Sequence, residues 1–180
     1  LYWSEGDKIS VNGVESGEAV INQSNPASAT FAVSEAASYA VAYPAAPAGQ
    51  VLFADKQAYV DNTTFGSGVS TMYAYSESGL GLQLKHLTGV LKIGVTGNAT
   101  LSMAQISTAD RAPIAGAFDI NFETGEVTAT ESSKEVITYN IPITADSEGL
   151  ALSAEPQYIH VAVPAGKYNE LYITLYEKGN

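Results

Sequence analysis

The chain has 180 residues, with 8 Lys plus Arg against 19 Asp plus Glu, a formal net charge of −11 and no cysteine. Such an acidic surface repels phosphate backbones and anionic lipid, so nucleic acid is excluded as a partner. The missing cysteine excludes disulfides, thiolate metal sites and cysteine nucleophiles. No run of about 18 apolar residues occurs, so no segment is expected to span a membrane as a helix.

In chain order, "YWSEGDKISVNG" opens with Trp3 placed against a core and a tight turn at Gly6–Asp7 before the strand "KISV". Asp7 there is expected to bond neighbouring backbone amides. Helical periodicity is nearly absent. The best helix candidate, "NPASATFAVSEAASYA" (25–40), is broken by Ser and Thr. The alternation of Phe31 and Val33, then of Tyr39, Val41 and Tyr43, reads as two strands. "YPAAPAG" is a turn region, and "QVLFA" and "STMYAYS" are short strands around the Gly/Asn-rich loop "DNTTFGSG".

The next stretch changes parity. Leu80, Leu82 and Leu84 are even, whereas Leu87, Leu91, Ile93 and Val95 are odd. A strand turns alternate side chains to opposite faces, so one unbroken strand would bury the first set and expose the second. A bulge, bend or break is therefore expected within 81–87, with Leu82 and Leu84 buried on one side of it and Leu87, Leu91 and Ile93 on the other. "GAFDINF" sets Phe118, Ile120 and Phe122 against Asp119, Asn121 and Glu123. "ETGE" is a hairpin loop in which Gly125 takes positive φ, and "GEVTAT" is the return strand. In "VITYNIPI", Ile137, Tyr139, Ile141 and Ile143 share a face, and Pro142 suggests an edge or bulged strand. "QYIHVAVPAGKYNELYITLYEK" closes the chain as two strands around a "PAGK" turn. Their apolar stripes are Ile159, Val161 and Val163, then Leu171, Ile173 and Leu175. Leu91 and Ile173 are expected core residues, whose truncation to Ala would cost about 2–5 kcal/mol. About nine or ten short strands with turn signals between them indicate an all-β, antiparallel β-sandwich, read as one domain over 1–180.

Chemistry is sparse. The two histidines are His86 and His160, and no G-x-S-x-G elbow accompanies them. His160 alternates away from the apolar stripe and is expected on the solvent side. His86 sits at the expected bend, placed to bond backbone groups freed there. "DINFETGE" begins like a calcium loop, but Thr124 stands where Gly is needed and Thr130 where the closing Glu is needed. No catalytic, cofactor-binding or metal-ligating residue is assigned. Tyr158, Tyr172 and Tyr176 form a candidate binding surface, because exposed aromatics can serve as sugar platforms or partner contacts. The plainer reading is that tyrosine is simply a good strand residue.

Several motifs occur in one order: "WSEGDKISVNG" at 3–13, "AVAYP" at 40–44, "LKHLTGVLKIGV" at 84–95, "IAGAFDINFETGEV" at 114–127 and "YIHVAVPAGKYNELYITL" at 158–175. This ordered set resembles the fimbrillin-like proteins of Bacteroidetes, the subunits and tip adhesins of type V pili, over most of the chain. The resemblance implies export as an outer-membrane lipoprotein and two transthyretin-like β-sandwich domains, of which this chain resembles the N-terminal one. It also implies assembly with other pilus subunits by strand donation. The lipid-anchor cysteine of such proteins is not in this chain.

The leading expectation is thus a non-enzymatic, structural and adhesive protein of the cell surface or extracellular fimbrium. Its partners would be other subunits and a host protein or glycan. The stripe Leu171, Ile173 and Leu175 needs cover and is the candidate strand-accepting groove, because an open edge with apolar side chains beside it invites strand addition. The first alternative is a carbohydrate-binding module of a glycan-uptake system. A hydrolase domain ranks last, since acid–base candidates do not cluster.

Overall fold

The computed structural model describes residues 2–143 and 148–179. The chain is all-β: among the described residues there is no helix, and strand pairing is mainly antiparallel, with β14 and β7 parallel. In chain order they are β1 (Ser10–Val11), β2 (Val14–Glu15), β3 (Val20–Ile21), β4 (Ala29–Thr30), β5 (Tyr39–Tyr43) and β6 (Gln50–Phe53). There follow β7 (Lys56–Ala58), β8 (Met72–Ser76), β9 (Lys85–His86), β10 (Thr88–Val95), β11 (Thr100–Thr108) and β12 (Ala115–Ile120). The last are β13 (Val127–Lys134), β14 (Val136–Asn140), β15 (Leu150–Ala151), β16 (Gln157–Pro164) and β17 (Leu171–Glu177). Where the sequence reads as one domain, the packing falls into two compact units. One comprises Leu1–Leu52, Ser70–Leu87 and Ala117–Ser132; the other comprises Phe53–Val69, Thr88–Gly116 and Ser133–Asn180.

In the first unit the sheet order is β2-β1-β5-β8-β9. Asn12 and Gly13, both at positive φ (53° and 81°), make the two-residue turn between β1 and β2. Asn and Gly are the residues that accept this turn geometry at least cost. Ile9, Val11, Val41, Tyr43, Met72 and Ala74 form the core, with Trp3, Phe31, Tyr39, Leu82 and Leu84 packed half-buried against it. Trp3 meets Phe31 and Tyr43 edge-on, at 4.9 and 5.0 Å between ring centres. Asp7 does accept a backbone amide, that of Ser4 at 2.7 Å, and it also accepts the Tyr43 hydroxyl at 2.8 Å. Phe31 and Val33 lie just outside a strand, since only Ala29–Thr30 pairs there. Gly125 has φ 80°, as its hairpin requires, and a Cβ there would lie 2.1 Å from the Tyr73 hydroxyl oxygen.

The second unit is a sandwich of two layers. One layer is β17-β11-β14-β7, with β15 also on β11; the other is β10-β16. Ala104 and Ile106 of β11, Ile137 and Tyr139 of β14, and Ile159 and Val161 of β16 meet in one buried cluster. Leu91, Ile93 and Val95 of β10 pack against it half-buried. Strand β14 is central rather than an edge, pairing antiparallel with β11 and parallel with β7. It ends at Asn140, so Pro142 removes no ladder donor, and Ile143 is exposed while Ile141 is buried. Strands β16 and β17 flank the "PAGK" segment but belong to opposite layers.

The parity switch has a clear outcome. Strand β9 pairs with β8, Leu87 lies between strands with its amide on the Thr71 carbonyl, and β10 starts at Thr88 against β16. The break falls inside 81–87 as expected. Leu82 and Leu84 serve one hydrophobic cluster, and Leu91 and Ile93 serve the other. All four, and Leu87, are half-buried rather than fully buried.

Candidate functional site

Strand β17 is paired on one side only among the described residues. Its register sets Leu171 opposite Thr108, Ile173 opposite Ile106 and Leu175 opposite Ala104. Directly paired residues share a face of a sheet. Thr108, Ile106 and Ala104 all point into the core and are buried, so the stripe on β17 points the same way. Yet Ile173 is 40% and Leu175 37% exposed. A two-stranded layer cannot cover a four-stranded one, and its cover runs out before β17. Ile173 is therefore not the core residue that alternation alone suggests.

The opposite margin is closed. Gln57, on β7, is buried and points inward beside Tyr139. Its Nε2 donates to the Ala162 carbonyl at 2.7 Å, and its Oε1 accepts the Ala162 amide at 2.9 Å. One side-chain amide thus reproduces both bonds of a neighbouring strand on the free edge of β16. Asn62 extends this, accepting the Tyr158 amide at 3.0 Å and donating to Gln157 at 2.8 Å. Because β16 lies toward β7, β10 is the strand on the side of β17, and β10 pairs only with β16 among the described residues. Two open strand edges, β10 and β17, therefore flank the exposed apolar stripe. Nothing in the sequence around Gln57 marks it as a surrogate strand.

The three tyrosines do not form one surface. Tyr172 and Tyr176 share the outer face of β17, and the Tyr176 hydroxyl donates to Gln105 Oε1 at 2.8 Å. Tyr158 lies in the other layer, opposite Gly94, with Lys92 Nζ 4.1 Å from its ring centre. Both histidine expectations need correction. His160 is buried, 7% exposed, because β16 is covered on both faces. Its Nδ1 has no hydrogen-bond partner. Tyr139 lies in the core with its hydroxyl near the His160 backbone amide but outside hydrogen-bond geometry, and burial raises its pKa. His86 is exposed and its Nδ1 is 2.9 Å from the Ser70 hydroxyl, a side chain rather than the backbone. Ser70 is itself buried. In the calcium-like segment Asn121 Oδ1 is engaged by the amides of Glu123 and Thr124.

The first unit carries a cavity of about 770 Å³ that alternation did not reveal. Its walls include Trp3, Phe31, Tyr39, Leu82 and Leu84. The exposed Leu80 sits at its rim. The sequence signals for it are the lone Trp3 and, far along the chain, the alternating "LGLQL" at 80–84. Comparison of the chain with protein-family models, curated proteins and solved structures returns no match.

Proposed function

We propose that this chain is a non-enzymatic, structural and adhesive cell-surface protein, a fimbrial subunit or tip adhesin that joins other subunits by strand addition. The observation supporting it is the stripe Leu171, Ile173 and Leu175, turned to the core side of an edge strand and left exposed. Natural sheets usually blunt such edges with charge, proline or cover. Strand addition would supply the backbone bonds that β10 or β17 lacks and would bury the stripe, the mode in which ladder bonds give affinity and side-chain pockets give register. The transthyretin-like topology, the outer-membrane or fimbrial location and the membership implied by the ordered motifs belong to this proposal.

The test is a peptide copying residues 171–178, which carries the matching alternation. At saturation it should raise the melting temperature of the full chain, as any ligand of the native state does, and slow amide exchange along β10 or β17. Ile173→Asp should abolish both effects without unfolding the protein, since that side chain is exposed. An unchanged melting temperature and unchanged exchange would refute strand acceptance at this edge.

A further inference from the structure

We infer that the outer face of β17, β11 and β14 is a docking platform for a neutral polysaccharide. This rests on the adhesive half of the reading above and is independent of strand addition. On β17 the outward residues are Tyr172, Thr174 and Tyr176. Their partners on β11 are Ser107, Gln105 and Met103. These in turn pair with Val136, Thr138 and Asn140 on β14. None of these side chains is charged, in a chain whose net charge is −11. The nearest charges stand at the ends of β17, Glu170 and Glu177 with Lys178, and on β7, where Lys56 lies one strand further on. A face that served only solvation would on such a chain be expected to carry carboxylates.

What the face offers instead is rings, hydroxyls and amides. Tyr172 is 52% exposed. Tyr176 is half-buried, and its hydroxyl bond to Gln105 Oε1 fixes the ring and leaves the two amide hydrogens of Gln105 for another acceptor. The tyrosines are four residues apart on one strand, roughly 13 Å, a span of several linked sugar rings. The C–H face of a pyranose packs on a tyrosine ring as an apolar surface does. Its hydroxyls match Thr174, Gln105 and Thr138, which both donate and accept. Acidic polymers are repelled by the net charge, and the carboxylates nearest this face, Glu170 and Glu177, stand at the ends of β17 rather than among its nine outward side chains. A neutral glycan fits both constraints.

The experiment is affinity electrophoresis and calorimetry of the full chain against a β-glucan, a xylan, an α-mannan and a galactan, with polygalacturonate as the acidic control. At least one neutral polymer should bind and polygalacturonate should not. Tyr172→Ala should weaken binding about tenfold or more, the loss of one stacked ring, at an unchanged melting temperature. Tyr176→Phe should retain binding, because the ring stays. Ile173→Asp, on the other side of the same strand, should leave glycan binding intact while blocking the peptide, which separates failure of this inference from failure of strand addition. No binding to any neutral polymer in the panel, equal binding of polygalacturonate, or full binding by Tyr172→Ala would overturn it.

Discussion

The larger sheet of the second unit ends differently at its two margins. At β7 the edge strand is three residues long, and its Gln57 reaches across the core to complete the backbone of β16. At β17 the edge strand is seven residues long, and its core-side stripe is left partly bare. Both margins face the same physical problem, unpaired amides and carbonyls beside apolar side chains. At one, a side chain from β7 supplies the bonds that the edge of β16 in the facing layer lacks. The other is left in a form that a real strand can complete. The bare margin is where the proposed strand addition would act.

Substitutions distinguish the two margins. The largest effect is expected at the centre both margins share: Ile106→Ala should cost about 2–5 kcal/mol in chemical denaturation, the transfer term plus the cavity. Ile106 is fully buried on β11 between the two margins. Next is Gln57→Leu, which keeps the volume but strands the Ala162 amide and carbonyl. Leaving buried polar groups without partners should cost about 1–3 kcal/mol. If Gln57→Leu is silent, the closed margin is not closed by that amide. Ile173→Ala should cost less than about 1 kcal/mol, as partly exposed positions do. A loss as large as that of Ile106→Ala would mean that β17 is covered in solution and the two margins are alike.

Those expectations also mark what the sequence carried. Alternation gave the direction of nearly every long strand correctly. Ile159, Val161 and Val163 point inward and are buried, and Leu171, Ile173 and Leu175 point the same way as buried Ile106. What alternation cannot carry is the width of the layer opposite. Parity tells Ile173 which side to face, and only the two-stranded partner layer decides that nothing lies there. His160 fails for the mirror reason: its parity points away from the core cluster, but β16 is covered on that side too. Division into two units was hard to read because three of the crossings fall inside β6, β12 and β13, although another lies at the end of the Gly/Asn-rich loop before Ser70. A further trace is the parity switch near Leu87. The expected bulge, bend or break is the point where the chain leaves one hydrophobic cluster for another. Of the candidate site, the stripe was legible and the tyrosine trio was not, since Tyr158 and Tyr172 alternate alike on strands that belong to different layers.

The smallest expected effect belongs to the closed margin and depends on pH. Asp55 precedes β7, and its carbonyl accepts the Thr138 amide of β14 at 2.8 Å. Its carboxylate pairs with Lys134 Nζ, at the end of β13. The hydrogen bond from Lys134 lowers the Asp55 pKa below the usual carboxylate value, with burial opposing it. A carboxyl whose folded pKa lies below its unfolded one binds protons more readily when unfolded, so it stabilises the fold above the unfolded value. That contribution is lost as pH falls through the folded value. Both partners are substantially exposed, so solvent and salt hold the gain below about 1 kcal/mol. Asp61 and Asp110 are also lowered, by bonds from Thr63 and Thr108 respectively, so acid unfolding of the native chain reports several groups at once. The difference between native and Asp55→Asn isolates this one. Near neutral pH the variant should be slightly less stable, and the two curves should converge in acid below the ordinary carboxylate range. Curves that stay parallel through that range would show that the Lys134 bond does not help to hold β7, leaving Gln57 as the tether whose loss opens that margin.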